Sequence, residues 1–211
     1  MTLEESIFFY TRNDYLLINN LLCNNISELR RFADIVNTDS KGMLKEHSDG
    51  INVLSDQMIR YYQSRIYEEW NEATESEIIE RAKNDVSNIL GAMGPTEKDT
   101  LLYRTVWHRR VGDILNYYKD NEFIEFQNIS STSVTPYEED TSDSFYRFEI
   151  VVPKGSPVLE LDQFAPWIRN EDGEVLLPPM KCKVKSIRES DIFNCKGIIQ
   201  LKYIDQLEVR I

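Results

Sequence analysis

Three short polar motifs in the second half of the sequence carry side chains that could take part in a reaction. They are Arg104 after Leu102-Tyr103, the hydroxyl run Ser131-Thr132-Ser133, and Glu174 in Asp172-Gly173-Glu174. Together they supply a carboxylate that can stabilise developing positive charge, hydroxyls that can orient it, and a cation. Each motif alone also has an ordinary structural explanation, since hydroxyl runs and Gly-Glu pairs are common at turns and strand ends. It is their order along the chain that favours a site.

Other kinds of catalytic site find no support in the sequence. The two histidines, His47 and His108, lie in no metal-ligand or nucleophile-base pattern, and the three cysteines are far apart. We therefore expect reduced thiols, no metal ion and no catalytic triad. Neither a Walker loop nor a glycine-rich dinucleotide fingerprint is present, so a bound nucleotide would be held by another type of binding site.

The elements that must position the motifs fall into two parts. Apolar residues at helical spacing predict helices over about 1–95, and the first follows a capping-box pair, Thr2 with Glu5. Over about 96–211, short runs of aromatic and branched residues predict strands, interrupted by one helix at about 107–118. The sequence thus predicts an α+β fold in a single domain whose mostly β part carries the motifs.

Charge and the N-terminal sequence limit the partners and the location of the protein. Lys and Arg number 24 against 36 Asp and Glu, a net charge of −12, so we expect no nucleic-acid partner. The first residues, MTLEES, are acidic where a signal peptide needs positive charge, and no apolar run is long enough to span a membrane. We expect a soluble protein without a cleaved signal peptide, either cytoplasmic in the producing cell or exported by a non-standard route as a secreted or injected effector.

The order arginine, serine-threonine-serine, glutamate resembles that of the bacterial toxin-type mono-ADP-ribosyltransferases, which are related to the binary-toxin and C3-like enzymes. The flanking sequences also resemble this family: Phe148 to Gly155 between the second and third motifs, Lys181 to Ile187 after the glutamate, and Tyr10-Thr11 with Tyr15, Ile18 and Asn19 in the opening helix. The resemblance covers most of the chain. It implies N-terminal helices packed on a two-sheet, mostly antiparallel β core with an NAD cleft.

The resemblance also implies roles for the motif residues. NAD would be the substrate, and a protein of unknown identity would accept its ADP-ribose, as in a toxin or effector. Glu174 would face the ribose, because cleavage of the nicotinamide bond builds positive charge on the sugar. Ser131 would orient Glu174, Arg104 would contact the NAD phosphate or the nicotinamide ribose, and Thr132 and Ser133 would complete the NAD-binding motif.

The acceptor of ADP-ribose stays open at this point. Asp172 lies two residues before Glu174, where the family carries Glu with arginine acceptors and Gln with others. An aspartate keeps an acid that could hold or deprotonate a guanidinium but is one methylene shorter, so arginine is favoured only weakly.

The role of the loop before Asp172 and the type of activity each have more than one interpretation. Phe164 and Trp167 occupy the place of the family's substrate-recognition loop, where they would either contact the target or pack on the core. An NAD glycohydrolase, in which water takes the ribose, and a non-enzymatic NAD-binding interaction module are the two other functions that this sequence allows.

Overall fold

The computed structural model describes residues 2–10, 15–23, 75–111, 113–136, 143–162 and 173–209. The chain divides into two compact units, Met1–Gly91 with Arg210–Ile211, and Ala92–Val209. The boundary lies close to residue 95, where the sequence pattern changes from helical to strand-like. The expectation that both parts make up one domain stays a prediction.

The first unit is helical in its described residues. Helix α1 spans Leu3–Phe9, α2 spans Tyr15–Leu22 and α3 spans Glu75–Gly91, and both short helices contact α3. The Thr2 carbonyl accepts the Ser6 N–H at 3.1 Å, so α1 begins where the capping-box pair predicts. The buried Ser6 hydroxyl also accepts a hydrogen bond from Asn88 Nδ2 at 2.9 Å, which ties α1 to α3. The helices predicted over 24–74 lie outside the described residues.

The second unit contains nine strands and two short helices within its described residues. In chain order they are β1 Gly94–Pro95, β2 Thr100–Trp107, α4 His108–Val111, α5 Leu115–Asp120, β3 Phe123–Phe126, β4 Ser130–Ser133, β5 Phe145–Val152, β6 Pro157–Glu160, β7 Glu174–Leu177, β8 Met180–Arg188 and β9 Cys195–Gln206. The single helix predicted over 107–118 is thus two helices. Between them the Asp113 side chain accepts the Leu115 N–H at 3.2 Å, a local hydrogen bond that competes with helix continuation.

The strands follow one continuous order, β1-β6-β7-β4-β2-β5-β9-β8-β3. Every pairing in this order is antiparallel except β5 with β9, which is parallel. The expectation of two separate sheets is therefore not confirmed, because β2 pairs with β4. That junction consists of one residue pair, Tyr103 with Ser133. The packing of the N-terminal helices on the β core stays a prediction.

The main apolar cluster of the second unit lies on one face of these strands. Its central members come from β5 and β9, and it also includes Val175 and Leu177 of β7. Because side chains alternate along a strand, Glu174 and Leu176 project from the other face of β7. Val175 and Leu177 therefore lie on the face of the main apolar cluster, and Glu174 lies on the other face, where Leu176 is also buried. No helix in the ranges given above is both long and apolar enough to cross a membrane.

Candidate active site

Strands β4 and β7 bring two of the three sequence motifs side by side. Their antiparallel register pairs Ser133 with Glu174 and Ser131 with Leu176. Directly paired residues share a face of the sheet, so Ser131, Ser133 and Glu174 lie on one face, with Ser131 diagonal to Glu174. The serine motif and the glutamate, 43 positions apart in the sequence, thereby become neighbours.

A short hydrogen bond joins these two motifs. Ser131 Oγ donates to Glu174 Oε1 at 2.6 Å, a length typical of an O–H donor to a carboxylate. Ser131 is exposed and Glu174 is half-buried, so the pair lies at the surface with one carboxylate oxygen held by the hydroxyl. The contact that the resemblance implies is present, and its part in a reaction stays a prediction.

Two opposing effects act on the ionisation of Glu174. Burial raises the pKa of its carboxyl above the usual glutamate value, because desolvation penalises the charged form. The hydrogen bond from Ser131 lowers the pKa, because it stabilises the charged form, but burial is the larger effect. The hydrogen bond from Ser131 therefore offsets part of the effect of burial on the pKa of the Glu174 carboxyl.

The other two hydroxyls of the motif hold the backbone. Thr132 is buried, and its Oγ1 donates to the Val175 carbonyl at 2.6 Å, across to β7. Ser133 Oγ donates to the Thr135 carbonyl at 2.5 Å, at the turn that follows β4. Alternation along β4 places Thr132 on the face opposite Glu174. The NAD contacts expected of Thr132 and Ser133 stay predictions.

Arg104 reaches β4 through a residue that lies just before the serine motif. Its Nη1 donates to Ser130 Oγ at 2.5 Å, and Ser130 is fully buried. Ser130 and Ser131 are successive residues of a strand, so this contact lies on the opposite face of β4 from Ser131. Sequence reasoning missed Ser130, although it extends the hydroxyl run to four residues, Ser130 to Ser133. A buried position that carries a hydroxyl in such a run is the signal that could have identified it.

A glycine in left-handed backbone conformation sets the start of β7. Gly173 has φ 57° and its carbonyl accepts the Val134 N–H at 3.1 Å. A Cβ atom at this position would overlap the Val134 Cγ2 methyl. The position directly before Glu174 therefore favours glycine for its conformation and for the close approach of Val134.

The remaining candidate residues lie outside the described residues. These are Asp172, Phe164 and Trp167, so their expected roles stay predictions. Among the residues that the structure does describe, no group of three or more His, Cys, Asp or Glu side chains could hold a metal ion. That finding covers only part of the chain, and the expected absence of a metal likewise stays a prediction.

The fold is similar to that of several bacterial proteins of known structure. The ATR domain of Salmonella SpvB superposes with a TM-score of 0.61 at 18% identity, covering 96% of this chain and 98% of that one. The catalytic domain of VahC from Aeromonas hydrophila gives a TM-score of 0.54 at 15% identity, covering 96% of this chain and 97% of that one. The chain has the fold of the bacterial mono-ADP-ribosyltransferase toxins.

A further structure supports the same assignment of fold. The Clostridium limosum C3 exoenzyme gives a TM-score of 0.51 at 15% identity, covering 96% of this chain and 85% of that one. No protein-family model matches the sequence, and no curated protein matches it either. The resemblance that the three motifs indicate is therefore confirmed at the level of fold.

We expect Gly173→Ala to lower the free energy of unfolding more than Gly155→Ala does. Gly155 also has a positive φ, 86°, but a Cβ there would meet nothing within 4 Å. Both changes should cost about 1–2 kcal/mol for the left-handed conformation, and Gly173→Ala about 1–3 kcal/mol more for the overlap with Val134. Urea denaturation measures the difference. The added change Val134→Ala should recover the overlap part, and equal losses for the two glycine variants would contradict this account.

We expect Glu174→Gln to raise the midpoint of thermal unfolding at about pH 8, with the gain shrinking towards about pH 4. The folded-state pKa of Glu174 is raised, so ionisation costs the folded protein stability as the pH rises through that pKa. A glutamine pays no such cost, and its carbonyl can still accept the Ser131 hydrogen bond. Scanning calorimetry across this pH range tests the prediction. Glu160→Gln, an exposed change on neighbouring β6, is the control and should change the midpoint less.

Proposed function

We propose that the protein is an NAD-dependent mono-ADP-ribosyltransferase, which cleaves nicotinamide from NAD and transfers ADP-ribose to a protein side chain. The observation that carries the proposal is the 2.6 Å hydrogen bond from Ser131 Oγ to Glu174 Oε1 on neighbouring strands. It provides an oriented carboxylate, which this reaction requires. The fold shared with the bacterial mono-ADP-ribosyltransferase toxins supports the same reaction.

The proposed reaction breaks the bond between the nicotinamide nitrogen and ribose C1′. The bonding electron pair goes to nicotinamide, which leaves as a neutral molecule, and positive charge develops on the sugar. The Glu174 carboxylate stabilises that charge, more strongly in a half-buried place than in bulk water. A nucleophile of the acceptor then bonds to C1′ and releases its proton to a base. Ser131 keeps Glu174 from rotating, so little reorganisation is needed during the reaction.

Four further residues would contact the substrates in this proposal. Arg104 would bind the phosphates or the nicotinamide ribose of NAD, since its guanidinium carries five donors and a permanent charge. Asp172 would hold an arginine side chain of the acceptor, and Phe164 with Trp167 would contact the target protein. Arginine is therefore the first acceptor to test.

NAD labelled in its adenylate part, incubated with the purified protein and a cell lysate, should give labelled protein bands and free nicotinamide. Glu174→Gln should reduce both signals by about 10²-fold or more, because it removes the charge that stabilises the transition state. Glu160→Gln, the exposed carboxyl on β6, should leave both signals unchanged. The proposal fails if wild type gives neither signal, or if Glu174→Gln retains them.

The same assay tests which nucleophile takes the ribose. Ser131 is exposed beside Glu174, so water can reach the pair, and this favours NAD glycohydrolase activity as the second candidate function. Nicotinamide release without labelled protein, also when arginine methyl ester is added, would support hydrolysis. Label on arginine methyl ester would support transfer to a guanidinium. Binding of NAD without any turnover would indicate the interaction module.

We expect Ser131→Ala to move the acid limb of the pH profile to higher pH. Activity needs ionised Glu174 and is lost as the pH falls through its pKa, which burial already raises. Without the Ser131 hydrogen bond the pKa rises further, because the charged form loses its donor. The logarithm of kcat for nicotinamide release, plotted against pH, measures the shift.

Ser133→Ala is the matched control for the pH profile. Ser133 lies on the same strand and face as Ser131, but its hydroxyl donates to the Thr135 carbonyl. It should leave the acid limb where it is in the wild type. An acid limb that does not move in Ser131→Ala, or that moves equally in both variants, would contradict the assigned role of Ser131.

A further inference from the structure

Ser130 is a buried polar residue that the proposed reaction does not yet use. It lies outside the serine-threonine-serine motif, at the first position of β4, and is fully buried. On the same strand face, Thr132 directs its hydroxyl to the Val175 carbonyl. Ser130 instead accepts a hydrogen bond from Arg104 Nη1. A buried hydroxyl has a cost unless it is hydrogen-bonded, so the contact with Arg104 explains how this position tolerates serine.

The backbone alone fixes Arg104 relative to β4 only weakly. The two strands share one residue pair, Tyr103 with Ser133, at the end of β4 away from Ser130. The 2.5 Å contact from Arg104 to Ser130 is therefore a second, side-chain connection between β2 and β4. It joins the strand that carries the cation to the strand that orients Glu174.

A hydrogen bond to Ser130 restricts the Arg104 side chain before any ligand binds. Arg104 pairs across the sheet with the buried Phe148. The pKa of the Tyr118 hydroxyl is raised to about 12 mainly by burial, and the charge of Arg104 partly opposes this rise. An arginine side chain has many rotamers, and fixing it costs entropy on binding a ligand. A hydrogen bond that exists before the ligand arrives reduces that cost.

We propose that Ser130 is a positioning residue for NAD, which acts by holding the Arg104 guanidinium in place for the pyrophosphate of the dinucleotide. This inference rests on the proposed function, in which Arg104 contacts NAD. Ser130 itself touches neither the reacting bond nor Glu174. Its loss should therefore weaken dinucleotide binding, whereas the loss of Ser131 should impair the chemical step.

The first test is the separation of KM from kcat in nicotinamide release. Ser130→Ala should raise the KM for NAD about tenfold, as expected for the loss of a hydrogen bond to a charged group, with kcat within about twofold. The acid limb of the pH profile should stay in place, in contrast to Ser131→Ala. An unchanged KM, or a loss confined to kcat, would overturn the proposal.

A double-mutant cycle with ADP-ribose separates positioning from structural damage. ADP-ribose keeps the pyrophosphate and lacks the bond that is cleaved, so its dissociation constant can be measured by calorimetry without turnover. Ser130→Ala should weaken binding in the wild type but have no further effect in an Arg104→Met background. Thr132→Val, which removes a buried hydroxyl on the same face, should have the same effect in both backgrounds. Additive effects of Ser130→Ala and Arg104→Met would overturn the proposal.

The two proposals can fail separately. A wild-type protein that neither cleaves NAD nor binds ADP-ribose would remove the proposed function and this inference with it. A wild-type protein that cleaves NAD, with Ser130→Ala matching it in KM and in ADP-ribose affinity, would remove only the role of Ser130. Thermal unfolding of each variant, compared with that of Thr132→Val, shows how much stability the buried hydroxyl contributes.

Discussion

The half-buried carboxylate of Glu174 constrains the register of β7. Glu174 is the first residue of β7. The second and last residues of this strand, Val175 and Leu177, are buried in the main apolar cluster. A shift of the strand by one residue would move the carboxylate to the core face and the apolar pair to the other face. The first of these changes would be strongly unfavourable, since an unpaired charge in an apolar core costs several kcal/mol, on the order of a lost buried ion pair. Leu176, on the same face as Glu174, is also fully buried, so it is the cost of burying the carboxylate that fixes the side on which chemistry can occur.

Polar contacts then fix where along that side the carboxylate lies. The Thr132 hydroxyl bonds to the Val175 carbonyl, and the Leu161 N–H donates to the Glu174 carbonyl at 3.0 Å, so β7 is held from both neighbouring strands. Gly173, directly before Glu174, accepts the Val134 N–H and packs against the Val134 side chain. The hydrogen bond from Ser131 acts on a carboxylate whose backbone these contacts have already placed. The cost of burying the carboxylate selects the face, and hydrogen bonding selects the position.

The sequence predicted the parts of this arrangement that depend on local pattern or on motif order. Helix α1 begins after Thr2, the change from helical to strand-like pattern falls near the boundary of the two units, and Ser131 meets Glu174. The continuous strand order could not be predicted, because the link between β2 and β4 is a single residue pair. The prediction of one continuous helix over 107–118 was wrong. Apolar periodicity carries no information about a local hydrogen bond such as the one from the Leu115 N–H to the Asp113 side chain.

The sequence did not predict that Arg104 lies beside Ser130, and the reason is physical. Strand β4 carries four small hydroxyl residues, Ser130 to Ser133, which bury little apolar surface and so gain little from packing. Such a strand must be held by hydrogen bonds, and these differ between its two faces. On one face, the Ser130 and Thr132 hydroxyls bond to Arg104 and to the β7 backbone. On the other face, the Ser131 and Ser133 hydroxyls bond to Glu174 and to the backbone that follows β4. Sequence order identifies a hydroxyl run, but the pairing of each hydroxyl depends on neighbouring strands from elsewhere in the chain. Because one short strand contacts the cation on one face and the carboxylate on the other, the proposed NAD binding and the proposed chemical step both depend on how β4 is held.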